Sequence, residues 1–239
     1  MLKGMTKYHL LVLLREPMNL IFGMALPFFF LFVGMMNDDG AELVSIIFIP
    51  IYITIAIMIL CFTDSALSHA YARQVKFLQR LRMTPVKPIK YILTGIFSRL
   101  CVLLAFSVIF IGVAGVMYDL GLANRNWLFF IAILILIFAM FYSIAMFTAN
   151  ILKSAKNSQS LVYVVFFALL IIGGNAALQL ENMPGILQAI VRVLPPVQAV
   201  VALQTAWIGN VALHWSYVVG MAAYTLVFCL LSLKFFRYE

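Results

Sequence analysis

Apolar residues run along this chain in long unbroken blocks, separated by short polar segments. A helix of roughly 20 residues crosses about 30 Å of hydrocarbon. Six blocks are long enough to do so, and they cover 18–36, 44–63, 92–117, 127–150, 160–178 and 215–233. The polar-apolar alternation typical of an outer-membrane barrel does not occur in these blocks. The pattern therefore predicts an all-α integral membrane protein with six transmembrane helices.

Two further apolar segments are too short to span a membrane. Residues 1–16 are predicted to form an interfacial helix, with Pro17 in the first turn of the first span. Residues 184–208 contain two apolar runs separated by Pro195 and Pro196. They predict either a re-entrant helical hairpin in the outer leaflet, which needs protein or water beside its broken backbone, or a pair of surface-lying helices. We expect 1–239 to be a single transmembrane domain.

Composition and charge agree with a membrane protein. The 239 residues are 65% hydrophobic and 10% charged, with a mean hydropathy of +1.10. Short loops rich in Lys and Arg stay on the cytoplasmic side. With both termini in the cytoplasm, Arg125 and Arg192 are the outer cations, apart from Arg99 near the start of the third span. We therefore expect cytoplasmic termini, and the short loops favour a bacterial cytoplasmic membrane.

The densest charge follows the second span. Residues 73–91 carry six cations and no acid. A helix over 71–82 would separate cationic and apolar faces, and Thr84-Pro85 would end it. Binding to anionic lipid, at about 1 kcal/mol for each cation near the surface, would explain the charge but not the abrupt end of the helix.

Residues suited to catalysis or ion coupling are sparse. The middle of each block lacks ionisable residues, which cost roughly 3 kcal/mol there, so self-powered ion-coupled transport is disfavoured. Asp64 and Arg99 lie near span ends, and we expect interfacial roles for them. A Gly-rich phosphate-binding loop is absent, and His9, His69 and His214 fall on different sides of the membrane. The three cysteines lie in or beside apolar spans, so we expect neither disulfide nor metal site, and no catalytic residues.

The order of these parts resembles the permease subunit of an ABC type-2 transporter over essentially the whole chain. The most specific likeness is in the cationic loop, where that family tends to show Arg-Glu-x-Gly-Thr-Leu-Glu-Arg-Leu-x-x-Thr-Pro. The chain departs from this pattern at Gln74, Lys76, Phe77 and Gln79. It matches the pattern at Arg73, Leu78, Arg80, Leu81, Thr84 and Pro85.

The resemblance implies that residues 71–85 form a coupling helix that docks on a cytoplasmic ABC ATPase subunit. It also implies two such ATPase subunits, which bind ATP and Mg²⁺, whereas this chain binds no cofactor. A second permease subunit, identical or related, would face the first across the pathway, surrounded by membrane lipids, and nucleic acid is not an expected partner. The implied docking residues are Arg73, Phe77, Leu78, Arg80, Leu81, Arg82, Thr84 and Pro85.

Polar residues of the spans are candidates to line that pathway, although each could equally make an interhelical hydrogen bond. A pathway without fixed charge suits a hydrophobic or amphipathic substrate, and the family resemblance implies export of a drug, antimicrobial peptide, lipid or lipid-linked polymer. The alternatives are a channel or facilitator without an ATPase, and a scaffold or sensor subunit that transports nothing. The pathway candidates are Asn19, Thr54, Thr148, Asn150, Asn175 and Gln179.

Overall fold

The computed structural model describes residues 25–33, 47–76, 88–120, 126–152, 155–178, 184–208 and 215–235. All regular secondary structure within these ranges is helical, which agrees with the predicted fold class. The helices, numbered in chain order, are α1 (25–33), α2 (Ile49–Gln74), α3 (Pro88–Tyr118), α4 (Trp127–Ile151), α5 (Ala155–Leu178), α6 (Gly185–Val193), α7 (Pro195–Ile208) and α8 (Trp215–Lys234).

Within the described ranges, four helices are long and apolar enough to cross a membrane. They are α2, the Leu93–Tyr118 part of α3, α4 and α8. The chain is therefore a multi-pass membrane protein. In α5 the apolar helix Lys156–Ile171 is shorter, and α1 is described only over 25–33, so the count of six spans stays a prediction. The predicted interfacial helix 1–16 lies outside the described residues.

Helix α2 corrects the sequence prediction. The helix that contains the span predicted over 44–63 continues to Gln74. It therefore includes the first four residues of the separate helix predicted over 71–82. It ends at Val75 and Lys76, where the Lys76 N–H donates to the Arg73 carbonyl (3.0 Å) and Lys76 has φ 56°. A residue in this left-handed conformation ends a helix, although the position usually favours glycine. The predicted helix over 71–82 is therefore wrong at 75–76, well before Thr84-Pro85.

Helix α2 also contains a π-helical segment, Leu60–Ala66. The Ser65 hydroxyl donates to the Leu60 carbonyl (3.2 Å), five residues back. An inserted residue rotates everything that follows it by about 100° around the helix axis. The π segment therefore sets which face of α2 its last turns present to the neighbouring helices.

The core lies around α4, against α2, α5, α7 and α8. Trp207 of α7 packs on Phe130 and Trp127 of α4, with ring centroids 5.5 Å and 6.1 Å apart. Lipid tails are as apolar as these side chains, so close packing rather than transfer from water favours the association of helices within the membrane. Phe28 of α1 meets Phe106 and Phe110 of α3 edge to face.

Helices α6 and α7 are the two apolar runs that flank the double proline. Leu194 joins them in an extended conformation (ψ 133°), as expected for a residue before proline, and Pro195 opens α7. Helix α7 contacts α2, α4, α5 and α8 and is largely buried, whereas Ile186 and Ile190 of α6 are exposed. Placement of the pair in the outer leaflet stays a prediction.

Candidate functional site: a polar junction at the end of α2

The last turns of α2 carry two polar side chains on one helical face. His69 and Arg73 are four residues apart, a spacing that stacks side chains one turn above the other. This face meets α4 and α5, and the Arg73 residue is only 3% exposed. His69 and Arg73 bond to the end of α4, Asn150 of α4 bonds to Ser232 of α8, and Asp64 pairs with Arg99 of α3. We call these residues together the loop-side junction. It stands at the end of α2 that leads into segment 77–87.

Arg73 binds the C-terminal end of α4. Its Nη1 donates to the Ala149 carbonyl (2.9 Å), and its Nη2 donates to the Leu152 carbonyl (3.1 Å). Carbonyls at the C-terminus of a helix lack partners within the helix and carry its partial negative charge. The planar guanidinium satisfies two of them at once and compensates that charge. Arg73 therefore fixes the end of α2 to the end of α4.

Asn150 connects three helices and is fully buried. Its amide nitrogen donates to the Met146 carbonyl within α4 (2.9 Å) and to the Ser232 hydroxyl of α8 (3.4 Å). Its side-chain oxygen lies 3.0 Å from Nε2 of His69 in α2. Because an amide oxygen only accepts, this geometry makes Nε2 of His69 the donor. One side chain thus joins α2, α4 and α8.

Asp64 and Arg99 form an ion pair between the π segment of α2 and α3. The Arg99 Nε donates to the Asp64 carboxylate, and the side chains of Arg99 and Asp64 are 12% and 13% exposed, respectively. The sequence predicts separate interfacial roles for these residues, whereas the structure pairs them in a mostly buried position. The charges compensate one another, which is a condition for burying them. The Cys61 thiol of the π segment also approaches the Phe138 carbonyl of α4 (3.8 Å).

One predicted docking residue, Arg73, belongs to the loop-side junction. Its guanidinium contacts carbonyls of its own chain. Its contact with an ATPase stays a prediction. The other predicted docking residues lie outside the described residues, so their role stays a prediction; they are Phe77, Leu78, Arg80, Leu81, Arg82, Thr84 and Pro85.

Three of the predicted pathway residues, Thr54, Thr148 and Asn150, have described side chains. Thr54 and Thr148 are buried and donate to the Pro50 and Ala145 carbonyls of their own helices (2.8 and 2.7 Å). Asn150 makes the interhelical hydrogen bonds of the alternative interpretation, whereas Thr54 and Thr148 bond within their own helices, and a pathway role for these residues stays a prediction. Only the backbone of Asn175, in α5, is described. Asn19 and Gln179 lie outside the described residues.

Sequence reasoning missed His69 and Ser232 as members of the junction. The sequence did contain one indication of His69. His69 and Arg73 are four residues apart, a helical spacing that continues beyond the end of the apolar block. Among the described residues, no group of three or more His, Cys, Asp or Glu side chains is placed to hold a metal ion. The arrangement connects α2 with α3, α4 and α8.

Comparison with known proteins adds one finding. Residues 2–208 match a protein-family model described as ABC-2 type transporter. A comparison with curated proteins gave no match.

Proposed function

The chain belongs to the ABC-2 type transporter family, and from that premise we propose that it is the permease subunit of an ATP-driven exporter. Two cytoplasmic ATPase subunits bind ATP and Mg²⁺, and a second permease subunit completes the pathway. Both termini face the cytoplasm of a bacterial cell. The absence of a phosphate-binding loop from the sequence supports this division of labour.

The loop-side junction is the observation that carries the proposal. The stretch 71–85, which resembles the coupling helix of the family, begins in the last turn of α2 and continues beyond Gln74. Arg73 binds that end to α4, and Asp64 binds α2 to α3. A force applied to the segment by an ATPase therefore acts on several membrane helices together. Such a connection is what a permease needs to convert closure of its ATPases into rearrangement of its pathway.

The substrate we propose is hydrophobic or amphipathic. Among the described residues of α2 and α3, the charges of Asp64 and Arg99 compensate one another, and Arg73 is bound to helix carbonyls. Charges engaged in this way offer no fixed site for a small ion. Exposed apolar side chains that can contact lipid or another apolar molecule are abundant, as at Val108 and Val116 of α3 and Leu226 of α8. A drug, antimicrobial peptide, lipid or lipid-linked polymer suits such a surface.

Leu78→Asp is expected to abolish binding of the ATPase subunits while leaving the chain inserted in the membrane. Residue 78 lies on the apolar face that we expect to contact the ATPase. An aspartate there would lose its hydration at the interface, which is costly for an unpaired charge. The measurement is co-purification of the ATPase with the tagged chain in mild detergent. Leu78→Ile, which keeps the apolar volume, is the matched control. Retention of the ATPase by Leu78→Asp at the level of Leu78→Ile would contradict the assignment of this segment.

A further inference from the structure

Gln198 is a buried amide in the first turns of α7. The residue is only 6% exposed, and its neighbours along the chain, Val197 and Ala199, are also buried. Its side-chain oxygen Oε1 is shielded from solvent and makes no hydrogen bond. Most buried polar atoms in proteins have a partner, because leaving one unsatisfied destabilises the fold. A single orphaned acceptor of this kind marks a place where another group is expected to bind.

The Gln198 amide lies directly against Gly220 of α8. A Cβ atom at Gly220 would come within 2.7 Å of Oε1 and 2.8 Å of Nε2 of Gln198, closer than side chains tolerate. No such crowding exists at Gly112 or Gly185, where a Cβ would meet nothing within 4 Å. The Gln198 amide therefore occupies the space that a side chain at Gly220 would need. The close approach of α7 and α8 also covers Oε1 without giving it a donor.

At the end far from Gln198, helix α8 contacts α4. There Ser232 receives the Asn150 hydrogen bond, and Phe228 packs on Phe147 with ring centroids 5.4 Å apart. Nearer to Gly220, Met221 is the buried residue among those described in α8, and the Tyr224 hydroxyl donates to the Val193 carbonyl (2.9 Å). A tilt of α8 about its Ser232 end would separate it from α7 at Gly220 and uncover the Gln198 oxygen.

We propose that Gln198 is the polar contact of a binding site between α7 and α8, where its Oε1 accepts a hydrogen bond from a hydroxyl or amide N–H of an amphipathic molecule. The apolar part of that molecule takes the place of the α8 surface at Gly220 and Met221. The one hydrogen bond orients the bound molecule, and the apolar side chains of α7 and α8 around it accept tails of varied shape. The role of this site in transport rests on the proposed function, whereas binding to the chain itself does not.

The test compares two neutral amphiphiles that differ in one donor. 1-Octanol carries a hydroxyl, and methyl octyl ether has a tail of the same length without a donor. The full chain is held in nanodiscs of phosphatidylethanolamine and phosphatidylglycerol, and the rise in Tm is recorded at equal mole fractions of each compound in the bilayer. We expect octanol to bind about tenfold more tightly than the ether, the effect of one hydrogen bond to a buried acceptor. The Tm rises accordingly more with octanol.

Variants assign that difference to Gln198. Gln198→Leu is expected to remove the advantage of octanol, and Gln198→Glu, which keeps an acceptor, to retain it. Gln204→Leu, a change of the same chemistry in the same helix, is expected to leave the advantage intact. Equal Tm shifts for the two amphiphiles in the unmodified chain would overturn the site. So would an octanol advantage that persists in Gln198→Leu.

A second pair of variants checks the contact with Gly220 independently of any ligand. Gly220→Ala is expected to lower the Tm of the otherwise unmodified chain, because the new Cβ displaces the amide. In the Gln198→Ala background, where that space is vacant, the same change is expected to have little effect. Equal Tm losses in both backgrounds would overturn the described contact. None of these measurements requires an ATPase, so failure of the exporter proposal would leave their outcome unchanged.

Discussion

Arg73→Leu is expected to lower the free energy of unfolding by roughly 3 kcal/mol, the effect of removing two charge-assisted hydrogen bonds from a buried position. The Ala149 and Leu152 carbonyls would lose their donor at the end of α4. Leucine fills similar space but cannot satisfy either carbonyl. The measurement is reversible unfolding of the purified chain in mixed micelles by increasing fractions of sodium dodecyl sulfate.

Two controls separate the geometry of Arg73 from its charge. Arg73→Lys keeps the charge but lacks the planar fork, so an intermediate loss is expected. Lys156→Leu removes an exposed cation of α5 and should change stability little. An effect of Arg73→Leu no larger than that of Lys156→Leu would contradict the role of Arg73 in the loop-side junction.

Arg99→Met is expected to lower the free energy of unfolding by about 3 kcal/mol or more, because it leaves the Asp64 carboxylate buried without its partner. Replacing both members, Asp64→Asn with Arg99→Met, should recover most of that loss, since no uncompensated charge then remains. The measurement is a double-mutant cycle in the same micelle titration. Additive losses from the two single variants would show that the charges do not depend on one another.

The lengths of the membrane helices were largely predictable, because the thickness of the hydrocarbon core imposes them on the sequence. The predicted blocks 127–150 and 215–233 end within a residue of α4 and α8. The block over 92–117 misses the first turn of α3, where Pro88 occupies a position that helices tolerate. Apolar block length thus indicates the existence and extent of these helices well.

Helix α2 could not be predicted in the same way. The apolar block ends at residue 63, whereas the helix continues through His69 and Arg73 to Gln74. Burial of these residues depends on carbonyl and amide partners of α4, more than 70 residues away in the chain. The ion pair of Asp64 with Arg99 and the π segment are likewise invisible to hydropathy, since both depend on how helices pack.

The site was only partly predictable for a related reason. Arg73 was identified by the family resemblance of the loop, and the structure adds its burial and its two hydrogen bonds to carbonyls at the end of α4. Asn150 was identified as a polar residue of a span, and the structure places it at the meeting point of α2, α4 and α8. Gln198 carried no signal in the sequence, because an unsatisfied amide is recognised only when its surroundings are known.

The most direct test of the central claim is a pull-down of the tagged chain from its native membranes in mild detergent, followed by mass spectrometry and quantification of the associated proteins. A permease is predicted to bring with it a cytoplasmic ATPase in equal amount, with two copies of each type of subunit in the complex. Reproducible recovery of the folded chain without any ATPase would contradict the exporter assignment and favour a channel or a scaffold.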